Sequence, residues 1–238
     1  MLDVVCWLWT PTKEYRSQFN TDHANILYSM VKRNFPHEFR FSCISDRETG
    51  FDKGIRVIPL WDDYSKMESI YGPNTPSCYR RLRAFSPEMA RVIGERFVSV
   101  DLDVVVCGDL TPVWSRKEDF IIWGDRARQT PYNGSMWMMN AGAREAVWTE
   151  FNRDPDRAVR KARGAGFFGS DQAWMCYKLG PFENRWTADD GVFSYRTHVK
   201  PTKGKLPDDA RIVFFQGHYD PWHPMIREQC PWVDQHYR

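Results

Sequence analysis

Asp101 and Asp103 stand one residue apart inside the apolar run Phe97-Val98-Ser99-Val100-Asp101-Leu102-Asp103-Val104-Val105-Val106. A β-branched run of this length reads as one strand buried on both faces, where a carboxylate is costly unless a cation meets it. Residues i and i+2 of an extended chain point to one side, so the pair offers the hard oxygen donors that Mg²⁺ and Mn²⁺ prefer. A divalent ion carrying a phosphorylated substrate is the simplest partner. So short a pattern also suits a turn cap followed by a surface ion pair with an arginine. Its place inside a hydrophobic strand shifts the reading toward a crevice at the strand's end.

The elements that must position these carboxylates can be read along the chain. Leu2 to Trp9 forms a first strand, stopped by Thr10-Pro11-Thr12. Asn20-Thr21-Asp22 supplies helix-capping chemistry, and Ala24, Leu27, Tyr28, Val31 and Phe35 follow at helical spacing until Pro36. Strands are expected at 39–45 and 55–60, and residues 61–77 form an irregular loop. A helical pattern runs from Cys78, with a break expected at Ser86-Pro87 and a new helix from Pro87 to Ile93. The Asp-bearing strand follows. Further strands are expected at 119–123, 136–139 and 210–215, with helices at 143–151 and after Asp171. This order predicts an α/β fold with a mostly parallel central sheet flanked by helices, in which ligands bind beyond the C-terminal strand ends. Arg153, Arg157, Arg160, Lys161 and Arg163 form a charge run that reads as a solvated helix face.

Composition bounds the function. The chain of 238 residues suits one large domain, and no repeat or long linker divides it, so 1–238 reads as a single domain with a short segment after about residue 222. A net charge of +2 gives no argument for nucleic acid or a membrane surface, and no run is long enough to span a bilayer. Aromatic residues at 15%, including 11 Trp, lean toward a carbohydrate or nucleotide ligand. Cys6, Cys43, Cys78, Cys107, Cys176 and Cys230 include no C-x-x-C pair, which favours buried free thiols in a reducing, cytoplasmic compartment over disulfides or zinc.

Several short elements recur in a telling order: Tyr79-Arg80-Arg81-Leu82, then Asp101-x-Asp103 with Asp109-Leu110, then Asn133-Gly134-Ser135, Asp171-Gln172, and Gly217-x-x-x-Pro221-Trp222. Taken together, over residues 3 to 222, they resemble the family-8 glycosyltransferases, relatives of glycogenin and the galactosyltransferases with the Rossmann-like glycosyltransferase A fold. The resemblance implies that Asp101 and Asp103 bind Mn²⁺ (or Mg²⁺), which holds the diphosphate of a nucleotide sugar, most simply a UDP-sugar. It implies that Arg81, where the family has Lys, approaches the phosphates or sugar. By the same resemblance Asn133 and Gly134 contact the sugar, Asp171 and Gln172 face its reactive side, and Asp125 meets sugar hydroxyls. Read alone, Arg81 suits a surface ion pair, Asn133-Gly134-Ser135 a β-turn and Asp171 a helix N-cap.

Thr10 and Tyr15 resemble the loop that holds the nucleotide base, although extra residues separate Tyr15 from its helix and leave the choice of base open. The family's last motif, His-x-x-Gly-x-x-Lys-Pro-Trp, appears here as Phe214-Phe215-Gln216-Gly217-His218-Tyr219-Asp220-Pro221-Trp222. Gly217 and Trp222 keep the frame, Phe214 and Asp220 replace the His and Lys, and His218 is the candidate third metal ligand. A lone His equally suits a structural or surface role. The implied activity is transfer of a sugar, with retention, to an acceptor that is a glycan, protein, small molecule or modified nucleic acid. Two other readings remain. Asp101-Leu102-Asp103-Val104-Val105 also fits the phosphoaspartate motif of haloacid-dehalogenase-like phosphatases, with Asp101 as nucleophile and bound Mg²⁺. The missing His and Lys also suit a nucleotide-sugar binding module without turnover.

Overall fold

The apolar runs of the first hundred residues form strands β1 (Leu2–Leu8), β2 (Phe39–Ser45), β3 (Ile55–Pro59) and β4 (Arg96–Val100), which lie parallel in the order β3-β2-β1-β4. They belong to a computed structural model that describes residues 1–10, 18–70, 72, 77–124, 130–217 and 219–238. Strand β5 (Val104–Val106) follows, then β6 (Phe120–Trp123), β7 (Asn133–Asn140), β8 (Asn184–Trp186), β9 (Val192–Ser194) and β10 (Ile212–Phe214). Strand β7 inserts antiparallel between β4 and β6, and β8 pairs parallel with β6, giving the sheet order β3-β2-β1-β4-β7-β6-β8. A smaller sheet has the order β5-β10-β9.

Helices α1 (Thr21–Asn34), α2 (Met89–Val92), α3 (Thr111–Trp114), α4 (Ala146–Arg153), α5 (Pro155–Gly164), α6 (Asp171–Leu179), α7 (Pro224–Gln229) and α8 (Trp232–His236) complete the layers, with a 3₁₀ helix at Tyr79–Phe85 and a π-helical turn at Tyr195–Val199. Strand β1 shows why the sheet is covered twice. Val4, Cys6 and Leu8 enter one hydrophobic cluster with α1 and the small sheet, while Val5 and Trp7 enter another with the 3₁₀ helix, α4 and α6. The period of two sends alternate side chains to opposite faces, and both faces are apolar. The start of α1 follows its capping chemistry: Asp22 N donates to Asn20 Oδ1 at 3.0 Å, and Asn20 N donates back to His23 Nδ1 at 3.0 Å.

One expectation is corrected. Phe97 to Val106 is not a single strand: β4 belongs to the large sheet and β5 to the small one, and Asp101-Leu102-Asp103 is the bend between them. A dry ladder has no place for two carboxylates, so the chain leaves one sheet as they appear and enters another once they have passed. The bend is pinned at both ends. Asp101 N donates to Ser135 O on β7 at 2.9 Å, and Phe215 N, just after β10, donates to Asp103 O at 2.8 Å.

The segment beyond residue 222 packs into the core. Ile226, Trp232, Val233 and Tyr237 are buried, and Trp232 Nε1 donates to Gly204 O at 2.8 Å. In the basic run, Arg153 ends α4 and Arg157, Arg160, Lys161 and Arg163 lie on α5, all five cationic side chains exposed, as a solvated face requires. All six cysteines are free. Among the described residues no helix is long and apolar enough to cross a membrane.

Candidate active site

Arg81 is the hub. The tight 3₁₀ helix turns Tyr79, Arg81, Leu82 and Phe85 into the protein, leaving Arg81 only 7% exposed. Its Nε donates to Asp171 Oδ2 at 2.7 Å and its Nη1 to Asp101 Oδ1. The surface ion pair that Arg81 suggests in isolation is therefore a buried triad linking the β4–β5 bend to the head of α6. Burial by itself would weaken the Arg81 charge, but the adjoining carboxylates of Asp101 and Asp171 hold its pKa above the ordinary arginine value. At Asp101, burial pushes the carboxyl pKa up, and the Arg81 charge and the Ser135 hydroxyl only partly offset it.

Asp171, 2% exposed, is the first residue of α6 and does not cap it. Ser170 holds the cap position, its hydroxyl donating to Asp171 Oδ1 at 3.2 Å and accepting from Cys78 N at 3.0 Å. An acidic residue at a helix start reads as a cap in sequence, but here the buried guanidinium claims its carboxylate.

Asn133-Gly134-Ser135 opens β7 beside this triad. Ser135 N donates to Asn133 Oδ1 at 2.9 Å, and Gly134 N donates to Gln172 Oε1 at 3.1 Å, so the strand's first turn and the first turn of α6 are hydrogen-bonded. A Cβ on Gly134 would stand 3.0 Å from Met175 Cε and 3.4 Å from Arg81 Nη2. Glycine thus lets β7 and Arg81 come together. The Gly134→Ala variant is expected to lose about 1–2 kcal/mol of stability in urea unfolding, because Met175 and the guanidinium must both give way.

Asp103 lies on the other side of the bend. Burial raises its pKa well above the usual carboxylate range, the negative charges of Asp101 and Asp220 raise it further, and Arg81 relieves it least. Asp220, 7% exposed, sits on the loop after β10. It was not among the predicted site residues, and its signal was only its place in the final motif. Tyr237 was missed as well. Its hydroxyl is buried with no hydrogen-bond partner among the described residues, and both Asp103 and Asp220 act on it.

A hard divalent cation fits this chemistry. Asp103 is a partly buried carboxylate pressed by two others, and a cation there would relieve the repulsion. Among the described residues no three His, Cys, Asp or Glu side chains are grouped closely enough to hold a metal, and Asp101 and Asp103 are the described carboxylates at the bend that could contribute to holding one.

The remaining sequence candidates separate. Thr10, past the end of β1, is exposed, and its N–H donates to Asp46 Oδ2 at 2.8 Å. Gly217 follows β10 with φ of 73°. Trp222 packs edge-on against His23 at 4.3 Å and Phe19 at 5.4 Å, which fixes the end of the 214–222 segment on α1. Phe214 is wholly buried and stacks on Trp123 at 4.5 Å, so the position that the resemblance gives to His faces core here. Tyr15, Asp125 and His218 lie outside the described residues.

No protein-family model matches the sequence. No curated protein matches it either. The fold has clear counterparts among solved structures. The galactosyltransferase LgtC, solved in complex with donor and acceptor sugar analogs, superposes with a TM-score of 0.64 at 14% identity, over 100% of this chain and 97% of its own. The glycosyltransferase GlyE of Streptococcus pneumoniae TIGR4 gives 0.60 at 10% identity, over 94% of this chain and 57% of its own. The bifunctional glycosyltransferase WbbM gives 0.55 at 11% identity, over 98% of this chain and 50% of its own. From its first strand to its last helix, this chain has the glycosyltransferase A-like fold of those enzymes.

Proposed function

We propose that the chain is a glycosyltransferase that moves a sugar from a nucleotide diphosphate donor, most simply a UDP-sugar, to an acceptor, with Mn²⁺ or Mg²⁺ at Asp101 and Asp103. The Arg81 bridge carries this reading, because it joins Asp101, the carboxylate assigned to the ion, to Asp171, the carboxylate assigned to the sugar. The similarity to LgtC, an enzyme solved with donor and acceptor sugar analogs, supports it.

When bound, the ion supplies Lewis-acid neutralisation of the charge that builds on the departing diphosphate. The chain's own residues do the rest. Arg81 fixes the Asp171 carboxylate in place, and Gln172, anchored on Gly134 N, is aimed beside it. A preorganised carboxylate and amide there stabilise an oxocarbenium-like sugar without reorganising during the reaction. No covalent nucleophile is assigned, and the configuration is retained, with the departing phosphate accepting the acceptor's proton. The phosphatase reading asks Asp101 to attack phosphorus, but its carboxylate is engaged by Arg81 and by the Ser135 hydroxyl.

A thermal-shift panel of nucleotide sugars with and without Mn²⁺ tests the proposal. A UDP-sugar is expected to raise the melting temperature only when Mn²⁺ is present, since a ligand of the native state stabilises it. A panel in which no nucleotide sugar shifts the transition contradicts the proposal.

A further inference from the structure

We infer that Arg196 is the residue that grips the diphosphate of the donor, an inference that rests on the nucleotide-sugar reading above. A diphosphate brings several negative charges to a site walled by Asp101, Asp103, Asp171 and Asp220, and Arg81 is already shared between two of these carboxylates. Even with a divalent ion at Asp101 and Asp103 the carboxylates outnumber the cations, so an uncommitted cationic side chain near Asp103 would favour binding.

Arg196 is such a side chain. It lies on the five-residue π-helical turn Tyr195–Val199 directly after β9, and single π turns tend to occur at functional sites. Strand β9 pairs with β10, and β10 pairs with β5, which begins one residue after Asp103. Phe215 N is bonded to Asp103 O at 2.8 Å, so Gly217, two residues further on, is within about 7 Å of that bond along the chain. The Arg196 guanidinium occupies the space beside Gly217, where a Cβ would come within 2.5 Å of its Nη2. With φ of 73°, Gly217 adopts a backbone that other residues rarely tolerate, and the guanidinium rests against it.

The guanidinium is half-buried, and among the described residues it has no carboxylate partner. Nη2 donates to Gln216 O at 3.3 Å, which leaves the rest of the donor fork uncommitted to that carbonyl. Gln216 itself is held by the Ser194 hydroxyl, which donates to its Oε1 at 3.1 Å, and its Nε2 is buried without a partner among the described residues. An oxyanion would supply one.

The turn is clamped onto this loop at both ends. Tyr195 stacks on Phe215 with centroids 4.9 Å apart, and Lys200 bonds the Tyr219 hydroxyl with its ammonium 4.7 Å from the ring centre. The turn that carries Arg196 is thereby held against this loop, and a planar fork of donors suits phosphate oxygens.

Calorimetric titration of the full chain with UMP and UDP, in Mn²⁺, tests this. Wild type is expected to bind UDP more tightly than UMP. Arg196→Gln is expected to weaken UDP binding about 10- to 100-fold while changing UMP binding far less, and Arg196→Lys to recover part of the loss. A merely structural role would weaken both ligands alike, so an unchanged UDP-to-UMP ratio in R196Q overturns the assignment. Should R196Q fail to fold, R196K carries the test, and wild-type UDP affinity in it overturns the assignment too. Failure of wild type to bind either nucleotide overturns the nucleotide-sugar reading itself, whereas UDP binding that ignores Arg196 removes only this residue.

Discussion

Replacing Arg81 by methionine is expected to destabilise the protein by about 2–4 kcal/mol and to abolish sugar transfer, because it leaves the buried Asp171 and the half-buried Asp101 carboxylates together with no cation between them. The loss should depend on pH in a definite direction. Burial already raises the Asp101 pKa in the native protein, and without Arg81 that rise must grow. A carboxyl whose folded pKa exceeds its unfolded value gives stability that is full below the unfolded pKa and lost as pH climbs through the folded one. The R81M deficit in urea unfolding should therefore be smaller at pH 5 than at pH 8. Adding Asp101→Asn and Asp171→Asn to R81M removes the stranded charges, so it should restore much of the stability and none of the activity. A deficit that does not vary with pH would count against the triad as drawn.

At Asp103 the expected changes in stability and activity have opposite signs. Asp103→Asn should melt no lower than wild type at pH 7 in the absence of metal, since it relieves repulsion from Asp101 and Asp220. Wild type should gain stability on acidification as Asp103 takes up its proton, and D103N should lack that part of the gain. Turnover of the donor should fall at least about 100-fold, the scale seen when charge stabilisation of a leaving group is lost. Mn²⁺ should raise the melting temperature of wild type and leave that of D103N unchanged. An equal metal-induced shift in both proteins would remove Asp103 from the metal site.

Much of this was written locally. Strand β1, helix α1 with its Asn20 cap, and β2 and β3 follow from periodicity and capping chemistry, and the structure places them within a residue or two. The bend at Asp101 to Asp103 was not legible, because the apolar pattern runs unbroken from β4 into β5 while the hydrogen-bonding partners change sheet. Strands β8 and β9, three residues each, carry no pattern of their own and exist through pairing with β6 and β10. The same non-locality hid parts of the site. Asp220 acts on Asp103 only because β10 brings its loop there, and Arg196 reaches Gly217 only because β9 lies beside β10. Asp171 was legible as chemistry through the resemblance, but its burial against Arg81 required the 3₁₀ helix, which no spacing rule separates from an α-helix.

The most direct measurement is to incubate the protein with a UDP-sugar and Mg²⁺ or Mn²⁺ and to resolve the products by anion-exchange chromatography. Wild type is expected to release UDP as the sugar passes to water or to an added acceptor, and Asp171→Asn to slow this release by about 100-fold or more while keeping its fold. Release of inorganic phosphate or UMP in place of UDP, or UDP release that is indifferent to Asp171, would contradict it.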